Sequence, residues 1–165
     1  MNGNNTMKNT VACLLNQQAQ CVLATHGDTE LALHLMAYAI STDLDEIYLA
    51  SLENTQKVKN MRANPSVTCL WDNRTGNNND HTQGLAMSGF GKAHELTGES
   101  ARLAQQLLLQ RNTTLKPLLS DPSVVIFAIH IDRYQWVQGY TRVVIYEPEK
   151  LTQQTPKECS HDGKI

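Results

Sequence analysis

The sequence predicts a mainly β (α+β) domain, in which six or seven antiparallel strands close into a barrel with about three short flanking helices. Three observations carry that expectation. Short runs rich in aliphatic and β-branched residues are bounded by Gly, Asp and Asn. Helical periodicity is confined to three segments, and these do not alternate with the strands as the crossovers of a parallel sheet would.

The opening helix is expected over 9–18, where Val11, Ala12, Leu14 and Leu15 make an apolar stripe. "CVLATHGD" (21–28) reads as a strand entering a Gly-Asp turn, "ELALHLMAYAI" (30–40) as the second strand and "EIYLAS" (46–51) as the third. A short helix follows, with Asn54 as its N-cap, Val58 and Met61 as its apolar positions and Asn64-Pro65 as its stop. "SVTCLWD" (66–72) is the next strand, and an Asn-rich loop runs on to about Gln83. In "GLAMSGFGKAHEL" (84–96) the pair Gly89 and Gly91 suggests a bulge. "GESARLAQQLLLQR" (98–111) is a helix capped by Thr97, and "SVVIFAIHI" (123–131) and "TRVVIYE" (141–147) are the last strands. Trp136 is expected in the loop between them. The domain spans 1–147, and a polar tail, 148–165, follows.

Composition excludes several classes. With 14 basic against 16 acidic residues, no charge excess calls for nucleic acid or an anionic membrane. No apolar run reaches the roughly 18 residues a membrane span needs. The polar start "MNGNNTMKNT" lacks a signal-peptide pattern, and the four scattered cysteines read as reduced thiols, so a cytoplasmic location is expected. His26, His81, His94 and His130 lack metal-ligand spacing, and the 71–84 loop lacks the carboxylate ladder of a calcium site, so no metal is expected. No G-x-S-x-G nucleophile motif is present.

Two segments carry the functional signal. Along the second strand, Leu31, Leu33, Leu35, Ala37 and Ala39 share one face, expected inside the barrel. Ala32, His34, Met36, Tyr38 and Ile40 share the other. That mixed face suits either half of a subunit interface or one wall of a site for a flat heteroaromatic ligand. The second signal is a reversal of charge. Helix N-termini favour acidic side chains, yet the first turn after Asn54 carries Lys57, and Lys59 follows. A phosphate accepting backbone N–H groups, the Thr55 hydroxyl and the Lys57 charge would make that lysine welcome; otherwise both lysines simply face solvent.

In order, "VLATHGD", "LHLMAYAI", "IYLASLENTQKVKNMRANPSVTCLWD" and "AMSGFGKAHEL" resemble the FMN-binding split-barrel proteins related to pyridoxamine 5′-phosphate oxidase, over residues 9 to about 147. The resemblance implies a split barrel, a homodimer and FMN held at the subunit interface. It implies that His34, Met36, Ala37 and Tyr38 line the isoalloxazine, and that Ser51 lies beside the ribityl-phosphate path. Thr55, Gln56 and Lys57 match the phosphate-binding segment, and Asn73, Arg74 and Gln83 flank a loop that approaches the flavin. The implied function is an FMN-dependent oxidoreductase passing electrons from a reduced nicotinamide to a small acceptor. Alternatives on the same barrel are a non-catalytic FMN-binding or electron-carrier protein, or a binder of deazaflavin or haem. Positions that are cationic in the oxidase proper, near His34 and Ala39 and at Gln56, are not so here. Its substrate-binding C-terminal segment is not recognisable after "VVIYEP", which argues against pyridoxamine phosphate as substrate.

Overall fold

A computed structural model of the protein describes residues 3–138 and 141–148. The elements in chain order are α1 (Gly3–Gln17), β1 (Gln20–His26), β2 (Leu31–Ala37), β3 (Ala39–Ile40), β4 (Glu46–Leu52), α2 (Gln56–Ala63) and β5 (Ser66–Asp72). They continue with α3 (Asp80–Gln83), β6 (Ala86–Leu96), α4 (Gly98–Arg111), α5 (Lys116–Leu119), β7 (Val124–Gln138) and β8 (Arg142–Tyr146). A 3-10 turn, Thr113–Leu115, joins α4 to α5. The tail expected after residue 148 lies outside the described residues.

All strand pairs are antiparallel, in the order β2-β1-β5-β6-β7-β4-β3, with β8 added on β7. Since β2 and β3 are separated by Tyr38 alone, the order begins and ends on one bent segment, and the sheet curls into a split barrel. The bend is anchored. The Tyr38 hydroxyl donates to the carbonyls of Leu15 (2.7 Å), in the last turn of α1, and Gln18 (3.0 Å), just past its end. The Arg111 guanidinium donates to the same two carbonyls and lies over the Tyr38 ring. Orphan carbonyls at a helix end are thus answered by a cation, as the macrodipole favours. Burial pushes the Tyr38 phenol up to about 12.

The barrel interior is filled by alternate side chains of the strands. Trp71 meets Tyr38 edge-on at 5.7 Å and Tyr134 at 6.0 Å, and the Tyr134 hydroxyl donates to the Leu44 carbonyl. A second, smaller cluster lies outside the barrel, where Ala104 and Leu108 of α4 pack on Ala39, Ala50 and Ile126. The bulge expected from the paired glycines lies between Phe90 and Gly91, where a Cβ on Gly91 would run into the His130 carbonyl.

Three expectations are corrected. Leu31, Leu33 and Leu35 do not face the interior; they are 72%, 70% and 65% exposed. The register explains this: His34 pairs with Leu23 and Met36 with Cys21, both buried, and cross-strand partners share a face. Trp136 is not in a loop. It lies buried within β7, which continues unbroken because its second half pairs with both β6 and β8. Finally, the N-cap of α2 is Thr55 rather than Asn54, which moves Lys57 to the second helical position.

Candidate functional site

The end of β4 runs through Glu53 and Asn54 to α2, and this turn, β2 and the α5 segment enclose a groove of about 360 Å³. Its apolar lining includes Leu35, Met36 and Ala37 from β2, Ala50 from β4, and Leu115 and Leu118 from the connection after α4. Gln20, Ser51, Thr55 and Lys57 supply its polar groups.

Local geometry leaves the start of α2 open. Thr55 takes the extended conformation of an N-cap, φ −99° and ψ 154°, but its side chain caps nothing. The hydroxyl turns back instead to the Leu52 carbonyl, at 3.0 Å, and to the Ser51 hydroxyl, also at 3.0 Å. No acidic residue stands in the first turn, while Arg62 occupies the last. Arg62 has carboxylate partners in Glu95 and Glu53. Lys57 forms no ion pair or hydrogen bond among the described residues. Unpaired backbone N–H groups, two hydroxyls and one ammonium therefore gather where the groove meets the helix.

His34 stands on the inner face of β2, with Nε2 3.0 Å from the Thr25 hydroxyl. Partial burial, and then the Lys57 charge, lower its pKa from the ordinary histidine value and so favour the neutral ring. Tyr38 turns its ring into the core, so its main chain alone stands beside β2. The Gln56 amide bonds Asn60 of its own helix at 2.8 Å. Asn73, Arg74 and Gln83 lie elsewhere, in the β5–β6 connection. Asn73 exchanges hydrogen bonds with the Leu85 backbone and lines a separate groove against α1, and Arg74 pairs with Asp72.

Of the residues singled out from the sequence, Met36, Ala37, Ser51, Thr55 and Lys57 are brought together by the groove. Leu115 and Leu118 carry no sequence signal, since "TTLKPLL" is too short for a periodicity to show. Thr25 and Asn60, whose polar side chains are 1% and 4% exposed, also escape notice, because nothing local marks a buried Thr or Asn.

No family model matches the chain, and no curated protein matches it in sequence. Solved structures do resemble it. A heme-binding protein from Mycobacterium smegmatis superposes with a TM-score of 0.74 at 15% identity, over 90% of this chain and 59% of that one. General stress protein 26 from Bacillus anthracis gives 0.61 at 18% identity, over 79% and 93% of the two chains. A protein of Clostridium acetobutylicum related to general stress protein 26, of the pyridoxinephosphate oxidase family, gives 0.65 at 11% identity, over 86% and 94%. The fold these proteins share with this chain is a split β-barrel. At such identities the likeness extends to the fold alone, and the chain spans about three-fifths of the M. smegmatis heme-binding protein. Among the described residues no helix is long and apolar enough to cross a membrane, and no cluster of His, Cys, Asp or Glu is placed to hold a metal ion.

Proposed function

We propose that this split barrel binds FMN and serves as a flavin-dependent oxidoreductase, working as a homodimer with the cofactor at the subunit interface. One observation carries the reading: the uncapped start of α2 opens on an apolar groove with Ser51, Thr55 and an unpaired Lys57 around it. Those groups suit a phosphate monoester. The apolar walls suit a flat ring, and a groove of about 360 Å³ lies within the size range of cofactor sites. Bound FMN would supply hydride and electron exchange between a reduced nicotinamide and a small acceptor. The chain's part is to hold the phosphate at α2, to keep the ring against β2 and to exclude water with Leu115 and Leu118.

The exposed leucines of β2 support the dimer. Leu35 belongs both to the groove and to that apolar face, so a second copy covering Leu31 and Leu33 would also close the groove. Sedimentation at micromolar concentration should then give twice the chain mass, and Leu33→Glu should halve it.

The cofactor test is a titration of the purified protein with FMN, riboflavin and haem. FMN should bind more tightly than riboflavin and should turn over a reduced nicotinamide with a small acceptor. Binding of FMN without turnover would mark an electron carrier. A Soret band with no FMN binding would replace the reading with haem.

A further inference from the structure

Three polar residues are buried among the described ones: Thr25, Ser51 and Asn60. Ser51 lines the groove. The other two lie in a chain of hydrogen bonds that runs from α2 through β1 to β2. Gln56 Nε2 donates to Asn60 Oδ1 at 2.8 Å, and Asn60 Nδ2 donates to Thr25 Oγ1 at 2.9 Å. Thr25 Oγ1 then lies 3.0 Å from His34 Nε2.

The direction of this relay fixes a proton. A threonine hydroxyl holds one hydrogen. Thr25 already accepts from Asn60 and is sealed from water, so its hydrogen points at His34 Nε2. That nitrogen is then the acceptor, and a neutral imidazole must carry its hydrogen on Nδ1. Nδ1 has no partner among the described residues. His34 does not itself line the groove, but it shares the inner face of β2 with Met36, which does. The chain of hydrogen bonds ties it to Gln56, the first residue of α2 and the neighbour of Lys57.

We propose that Thr25 and Asn60 are positioning residues that hold His34 as the Nδ1–H tautomer, so that the ring donates one neutral hydrogen bond to the anionic oxygen Lys57 attracts. This rests on the reading of the groove as a phosphate site, and it adds how the site recognises the ester. A neutral donor contributes direction beside Lys57 without the cost of burying a second cation.

Two measurements test it. The first needs no ligand: long-range ¹H–¹⁵N correlation of the His34 ring reports the tautomer. Wild type and Thr25→Ser should show Nδ1–H, and Thr25→Val should lose that preference. The second is affinity for FMN and riboflavin. Thr25→Val should weaken FMN by about fivefold to tenfold and leave riboflavin unchanged, while Thr25→Ser restores FMN. Should Thr25→Val not fold, His34→Asn and His34→Gln answer the same question. Asn places an amide N–H near the position of Nδ1 and should retain FMN; Gln places one near Nε2 and should not. An Nε2–H tautomer in wild type overturns the proposal, as does equal loss of FMN and riboflavin in Thr25→Val. Wild type that shows Nδ1–H but binds no FMN overturns the phosphate reading, and with it the acceptor assigned here, while the relay itself stands.

Discussion

Two places in this molecule gather backbone N–H groups toward one point, and they differ in where the negative charge comes from. In the β5–β6 connection the amides of Thr75, Gly76 and Asn77 all donate to the Asp80 carboxylate, at 2.7 to 3.2 Å. The Thr75 hydroxyl donates to it as well, at 3.1 Å, and Gly76 takes φ +80° so that its amide can join. That loop carries its own anion three to five residues away. At α2 the same kind of donor set stands open: the neighbouring hydroxyls turn back to the strand, and the charged side chain that lines the groove there, Lys57, is a cation. A loop that supplies its own anion is structure. A helix start that lacks an anion but has a lysine beside it, in an apolar groove, is a place for an anion from outside.

The sharpest way to break that contrast is to give α2 an internal anion of its own. Thr55→Asp places a carboxylate at the N-cap, where it can accept the first-turn amides. FMN affinity should fall by roughly a hundredfold or more, since a fixed charge then occupies and repels the phosphate position. Stability of the cofactor-free protein should rise by about 0.5–1 kcal/mol through capping and the macrodipole. Thr55→Asn, a cap without charge, should keep most of the affinity. Flavin fluorescence titration and urea unfolding measure both effects, and unaltered FMN affinity in Thr55→Asp would place the phosphate elsewhere.

Removing the cation has a smaller effect. Lys57→Ala deletes one charge-assisted hydrogen bond worth roughly 1.5–3 kcal/mol, so FMN affinity should fall about tenfold to a hundredfold. Riboflavin should bind wild type and variant alike. Without FMN the variant should be as stable as wild type or slightly more so, by about 0.3–1 kcal/mol at most, because the helix start loses an unfavourable neighbour. Equal weakening of FMN and riboflavin would return Lys57 to the role of a solvated side chain.

Much of this contrast is legible along the chain, because its parts are local. β5 and α4 run over the residues their patterns mark, Ser66–Asp72 and Gly98–Arg111, and the reversed charge at Lys57 needs only the rule for helix ends. What is not legible depends on distant partners. The inner face of β2 is chosen by its register on β1, and an aliphatic run reads as core even when it is the exposed face. Asn60 meets Thr25 across 35 residues, and no local pattern announces that pairing. The apolar wall of Leu115 and Leu118 exists because α4 lies against β3 and β4, a packing that the helix pattern alone does not specify.

The smallest effect belongs to the loop that carries its own anion. Hydrogen bonds from Thr75, and then from Gly76 and Asn77, lower the Asp80 pKa below its ordinary value of 3.8. A carboxyl group with a depressed folded pKa stabilises its surroundings above the unfolded value and loses that contribution as pH falls through the folded one. The amides of Thr75, Gly76 and Asn77 should therefore be protected at neutral pH, measured against the intrinsic exchange rate at each pH, and should lose that protection as the pH falls through the lowered Asp80 pKa. Asp80→Asn should show the lower protection at neutral pH already, since a neutral amide oxygen is a weaker acceptor and brings no charge to the nest. The carboxylate is exposed, so global unfolding should barely move, and FMN affinity in the α2 groove should not change. A large loss of FMN affinity in Asp80→Asn would mean that the two donor sets are coupled through the bound state, and that the loop's anion serves the site as well as the fold.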